Sequence, residues 1–315
     1  MSAVCRVFAS IACLACFPLL CHAQAATPAT PPAAAVAAKA DYRVQQVRPN
    51  LSVLMSSGGN IAVWSGPSGT VLVDDGIAGL APQLQEALAR VARTPVRFVV
   101  NTHWHPDHTG GNEALAKAGA TVVAHESVRE RMSRPQVVEE YDTKVPASPA
   151  AALPVVTFAD SLAIQLDGER IGIVHVADAH TDSDVIVRWQ EANAVHVGDL
   201  FYNGGYPFID VASGGSLAGV VAALEAILAR SDAQTAVIPG HGPVATRAEL
   251  AAYRDMLVAV GRKVREQVEA GSSLDEVLAL HLTGDFDERY AKGAVSPERF
   301  VRTVYRDLSK PRSGR

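Results

Sequence analysis

Between His103 and His108 the chain reads HWHPDH, three imidazoles and a carboxylate within six positions. Such groups repel one another when protonated, and they cost desolvation energy when buried neutral without partners. A fold that gathers them must therefore supply a cation. The apolar run Val96 to Val100 precedes the cluster and a helical pattern begins near Asn112, so the six residues lie on a loop at the C-terminal end of a strand. In an extended segment residues i and i+2 point to the same side, which lets His103 and His105 grip one ion. Asp107 and His108 follow a turn begun by Pro106 and aim at a second ion, while Gly110 and Gly111 let the backbone turn sharply beside it.

Two ions need more donors than one loop supplies. His180, in ADAHTDSD, follows an apolar run ending near Val176; His241, in VIPGHGP, follows one ending at Ile238 and is flanked by Gly240 and Gly242. Asp199, in AVHVGDLF, sits behind a glycine just past another strand, and its two oxygens suit it to bridge ions roughly 3.5 to 4 Å apart. His175 and His196 fall inside predicted strands, and with His125 and His281 they read as structural or surface residues.

The remaining pattern is mixed α/β. Strands are expected at Leu51 to Met55, Asn60 to Trp64 and Thr70 to Asp74, then strands alternate with helices from Leu80 to Ile238. After His241 the chain turns helical, through Arg247 to Ala270, Ser273 to His281 and Pro297 to Leu308. The stretch Arg134 to Pro154, with four prolines, reads as a long loop, and Pro135 to Pro149 as a flap over the site. LFYNGGYPFID, after Asp199, offers Phe201, Tyr202, Tyr206 and Phe208 as a substrate wall.

The first residues differ in kind. Arg6 is followed by an apolar run from Val7 to Leu20 and then by small residues, the pattern of a secretory leader cleaved after Ala23 or Ala25. Its apolar run of about 14 residues falls short of the roughly 20 that span a bilayer. Residues 1–25 are thus expected to be a signal peptide, 26–40 an Ala/Pro-rich linker, and 41–315 one enzyme domain including the C-terminal helices from about 247. The mature protein would be periplasmic or secreted. All four cysteines, Cys5, Cys13, Cys16 and Cys21, lie in the leader, so any metal is held by nitrogen and oxygen. A net charge of −5 gives no footprint for nucleic acid or an anionic membrane, which leaves a small-molecule substrate. Oligomeric state is not legible.

The order H-x-H-x-D-H, then His180, Asp199 and His241, resembles the metallo-β-lactamase superfamily of hydrolases, over about Tyr42 to Arg247. The resemblance implies a four-layer αββα sandwich. It places His103, His105 and His180 on one metal and Asp107, His108 and His241 on the other, with Asp199 bridging and Asp74 behind the ligand loop; Asp75 is a rival for that last place. It implies two zinc ions, although manganese and iron accept the same ligand types. A hydroxide between the ions would attack an ester, lactone, thioester or β-lactam-like carbonyl, with Asp107 orienting it and moving a proton.

Departures narrow the family. Without cysteine, the lactamase branches with a cysteine ligand are excluded, and Asp199 argues against a dedicated β-lactamase, which stays as one alternative. Arg262, Lys263 and Arg265 stand where a glutathione thioesterase would need cations, though a solvated helix face explains them as well. A mononuclear iron persulfide dioxygenase, which shares the His103 and His105 motif, is a second alternative, and a metal-binding protein without catalysis a third.

Overall fold

The computed structural model describes Met1 and residues 42–310. The fold below is that of residues 42–310. The leader and linker readings for residues 1–40 fall outside the described residues, Met1 apart. No helix among the described residues is long and apolar enough to cross a membrane.

The chain opens with β1 (Arg43–Arg48), β2 (Leu51–Ser56), β3 (Gly59–Gly66), β4 (Gly69–Val73), β5 (Val96–Val100) and β6 (Thr121–His125). A short hairpin follows, β7 (Gln136–Val138) and β8 (Thr143–Val145), and then β9 (Val156–Phe158). β1 to β6 and β9 make one seven-stranded sheet in that order, antiparallel from β1 to β4 and parallel from β4 to β9. The second sheet runs β10 (Ser161–Leu166), β11 (Glu169–His175), β12 (Val185–Trp189), β13 (Ala194–His196), β14 (Ala236–Ile238) and β15 (Ala245–Thr246). Only its β13–β14 pair is parallel.

Alternation along the strands fixes which face goes where. Val53, Ala62, Trp64, Val71 and Val73 point toward the second sheet and meet Ile171, Ile173, Val187 and Trp189 there. Their neighbours Leu54, Ile61, Val63 and Leu72 point the other way, against Leu84, Ala87 and Leu88 of the helix Ala81–Val91. The outer side of the second sheet is covered by Leu217–Ala229, Arg247–Glu269 and Pro297–Ser309, through Leu224, Tyr253, Val260, Phe300 and Val304. The result is the four-layer αββα arrangement with C-terminal helices. Ser216 and Thr246 cap the first two of these helices by accepting from backbone N–H groups, the second in a full capping box.

Four details depart from the sequence reading. β1 precedes the first expected strand; the Pro-rich loop contains the β7–β8 hairpin; short β9 and β15 extend the sheets; and Pro106–Thr109 forms one helical turn inside the expected ligand loop.

Candidate metal centre

Every strand that feeds the site ends beside it. β4 ends at Asp74, whose backbone takes a left-handed φ of 63°. Its Oδ1 accepts the Thr102 N–H at 2.6 Å, and its Oδ2 faces both the Thr102 hydroxyl and His108 Nδ1 at 2.8 Å. Thr102 Oγ1 in turn lies 3.0 Å from His103 Nδ1, so one buried carboxylate orients two imidazoles. Asp75 turns away to accept the Gly111 N–H at 2.8 Å. Gly110 is required for close approach, since a Cβ there would sit 2.2 Å from the Ala78 nitrogen.

Two donor sets result. His103 Nε2 and His180 Nε2 each lie 3.0 Å from His105 Nδ1. His108 Nε2 and His241 Nε2 lie 3.6 and 3.4 Å from Asp107 Oδ2. Asp199 stands between the sets. Its Oδ2 is 3.9 Å from His103 Nε2 and 3.7 Å from His180 Nε2, and its Oδ1 is 3.2 Å from His108 Nε2 and 3.4 Å from His241 Nε2. The structure thus gathers all seven residues singled out as ligands, in the groups His103, His105, His180, Asp199 and Asp107, His108, His241.

This donor set fits divalent cations. His108 Nε2 and Asp199 Oδ1 are buried and make no hydrogen bond, which is costly for polar atoms unless an ion completes them. Three ring nitrogens converging at 3.0 Å cannot all donate to one another, whereas all can donate lone pairs to a metal. Without an ion, charge is divided unevenly. Burial lowers His103 and His180, the latter to about 4. Burial acts in the same sense on His241, but Asp199 and Asp107 outweigh it and raise that imidazole to about 9. His108 is also raised, as Asp199, Asp107 and Asp74 overcome burial. Asp107 and Asp199 are both lowered, because His108 and His241 overcome their burial.

Sequence reasoning missed Asp210. Its Oδ2 lies 3.1 Å from His105 Nε2, and its Oδ1 accepts the Ser213 N–H at 3.0 Å. His180 is held in the same way, its Nδ1 2.8 Å from the Phe208 carbonyl. The available signal was an Asp three residues before a serine in a turn, which is common in any sequence.

A cavity of about 700 Å³ opens over the centre, with His105, Asp107, Asp199 and His241 exposed to it. Tyr202 and Phe208 line it, with Val138, Tyr141 and Val145 of the hairpin and the segment Lys292 to Val295. The Tyr202 hydroxyl donates to Asp199 Oδ2 at 2.5 Å and its ring stacks on His241, centroids 5.2 Å apart. Tyr206, expected in this wall, is not there. Its ring is buried on Phe300, and its hydroxyl donates to Asp287 Oδ1 at 2.7 Å. Phe201 is likewise buried, against Tyr253. Arg262 and Lys263 are occupied by Glu266 and Asp285, outside the cavity. Lys292 is the one lysine or arginine lining it among the described residues. The hairpin is held from outside: Glu140 pairs with Arg306 at 3.2 Å and Arg299 at 3.5 Å, and the Arg299 guanidinium lies 4.8 Å over the Tyr141 ring. Of the histidines set aside, His125 and His175 stack on each other, His196 is buried with Nε2 3.3 Å from the Asn60 carbonyl, and His281 is exposed.

The family model described as the metallo-beta-lactamase superfamily matches residues 57–241. A hydroxyacylglutathione hydrolase of Anaeromyxobacter dehalogenans is 28% identical over 222 residues, 70% of this chain and 72% of the relative. Another, of a Polaromonas species, is 31% identical over 158 residues, 49% and 52% of the two chains. Among solved structures, a metallo-beta-lactamase from Pontibacter korlensis aligns with a TM-score of 0.55 at 21% identity, over 69% of this chain and 99% of that one. A stereoselective inverting sec-alkylsulfatase from Pseudomonas sp. aligns with a TM-score of 0.61 at 18% identity, over 84% of this chain and 50% of the sulfatase.

Proposed function

Because this chain belongs to the metallo-beta-lactamase superfamily and is a metal-dependent hydrolase of that group, we propose that it is a dinuclear zinc enzyme cleaving an acyl bond. The bond is an ester, lactone or thioester in a small molecule. The observation that carries the reading is Asp199, whose two oxygens face separate donor sets while Oδ1 lacks any hydrogen bond. His103, His105, His180 and Asp199 would hold one ion, and Asp107, His108, His241 and Asp199 the other. Bound there, the ions supply a water nucleophile at neutral pH and electrophilic assistance to the substrate carbonyl.

The protein's own groups do the rest. Asp107 is half-exposed at the cavity floor, where its carboxylate is placed to orient a water and pass its proton toward the leaving group. Tyr202 holds Asp199 in place through its hydroxyl, and burial and Asp199 keep that phenol protonated. Tyr141 and Phe208, ring centroids 5.1 Å apart, exclude water above His105. Lys292 makes the cavity suited to a substrate with an anionic group distant from the reacting bond. The relatives named hydroxyacylglutathione hydrolase support the acyl class; the likeness to the sulfatase concerns the fold alone. The leader-like residues 1–25 support an exported enzyme, which N-terminal sequencing of the extracytoplasmic protein tests.

Metal analysis of the purified protein, followed by hydrolysis assays over thioesters, lactones, aryl esters, β-lactams and sulfate esters, tests the reading. Two zinc ions per chain and acyl hydrolysis that Asp199→Ala reduces about a hundredfold or more are expected. One iron per chain with oxygen consumption would establish the dioxygenase instead.

A further inference from the structure

A second concavity lies on the outer face of the second sheet, between β11, β12 and the helix Leu217–Ala229, with a volume of about 540 Å³. Its floor follows from strand register. Gly172 pairs with Arg188 and Val174 with Ile186, all on the face opposite the core residues Ile171, Ile173 and Val187. Gly172 leaves a gap, since a Cβ built there would meet nothing nearer than the Arg188 carbonyl at 4.0 Å. The helix supplies Ala222, Ala226 and Ile227 as a low apolar wall.

Arg170, Arg188 and Arg230 all line the groove, and no carboxylate among the described residues does. Arg188 reaches only the Ser231 hydroxyl, at 3.2 Å, and among the described residues the side chains of Arg170 and Arg230 have no hydrogen-bond or ion-pair partner. Asp232, the neighbouring acid, already accepts from Asn193, Gln234 and Thr235. Arg188 and Arg230 repel each other, which an anion between them relieves, and guanidinium forks match a carboxylate in geometry. The other end is formed by Val174, Val176, Ala177 and Ile186, with His175 among them held by its Nε2 3.1 Å from the Asp182 carbonyl, and Val174 stays 42% exposed.

We propose that this groove is a binding site for a free, medium-chain alkyl carboxylate. The headgroup lies on Arg170, Arg188 and Arg230, and the chain runs over Gly172 toward Val174 and Ile186. The volume suits a small-molecule site. A recess between helix and sheet admits a single chain, whereas a bilayer surface needs a protruding apolar face.

Calorimetry of the metal-loaded full chain with decanoate tests this, with decanol and acetate as controls. One decanoate per chain is expected. Arg170→Gln with Arg230→Gln should weaken it about tenfold or more. Gly172→Leu, which fills the floor, should abolish it, while ester hydrolysis and metal content stay at wild-type values in both variants. Undiminished decanoate binding in these variants overturns the proposal, because the ligand then sits elsewhere, the metal centre included. So does equal affinity for decanol, or binding to phosphatidylglycerol vesicles without binding to decanoate. A dimer that Gly172→Leu dissociates, with no decanoate bound by the wild type, would show the groove to be a contact between copies.

Discussion

Metal uptake at the two donor sets should respond differently to pH. In the metal-free protein His103 and His180 are already neutral near pH 7, His180 having been lowered to about 4. An ion entering that set displaces no proton from them. His241 is raised to about 9, so at pH 7 only about one molecule in a hundred presents it neutral. Binding at the Asp107, His108 and His241 set must expel that proton, and the apparent affinity there climbs about tenfold per pH unit from 7 to 9. His108, raised as well, steepens the slope wherever it too is protonated. The sign for stability is opposite. The raised His241 contributes to the metal-free fold fully below its unfolded value of about 6.5, and that contribution is lost as pH rises through about 9. Competition titration against a chromophoric chelator at pH 6 to 9 measures both affinities, and calorimetry in buffers of different ionisation enthalpy counts released protons. A shallower slope at the first site than at the second across pH 7 to 9 is expected. Equal slopes at both sites, or a second site flat from pH 7, would refute the assignment of protonated imidazoles to one set.

Three further outcomes follow from named contacts. Asp210→Asn weakens the hold on His105 and should lower metal affinity about 10- to 100-fold, read by the same competition assay. Gly240→Ala places a Cβ 1.9 Å from Asp199 Oδ1 and 2.8 Å from the Gly198 carbonyl carbon, so overpacking should cost about 1–3 kcal/mol in thermal unfolding and reduce metal content together. Lys292→Ala should raise KM for an anionic substrate about tenfold with kcat unchanged, and leave its neutral isostere unaffected.

What the sequence discloses of this molecule depends on how local each signal is. The ligand candidates are legible because histidine is scarce and each group of them begins just past a strand, where strands deliver side chains to a shared edge. Asp210 was not, since its partner His105 is 105 residues away and aspartate before a turn is commonplace. β1, with the sequence RVQQVR and no buried residue, lacks the alternation that marks β2 to β4; it is recognisable only through its pairing with β2. The β7–β8 strands bury only Val138, so burial leaves no alternation in their sequence to read. Tyr202 and Tyr206 look equivalent in LFYNGGYPFID. The left-handed turn at Gly204, φ 96°, separates them, sending one ring onto His241 and the other into the helices.

The latch on the β7–β8 hairpin has an evolutionary consequence. All seven metal-ligand candidates fall within the stretch shared with the superfamily, residues 57–241, whereas Lys292 and Val295 in the wall and Arg299 and Arg306 behind the hairpin come from beyond it. Part of the substrate wall is thus encoded apart from the metal-ligand candidates. Drift in residues 285–310 can therefore reshape this part of the wall without altering any metal-ligand candidate.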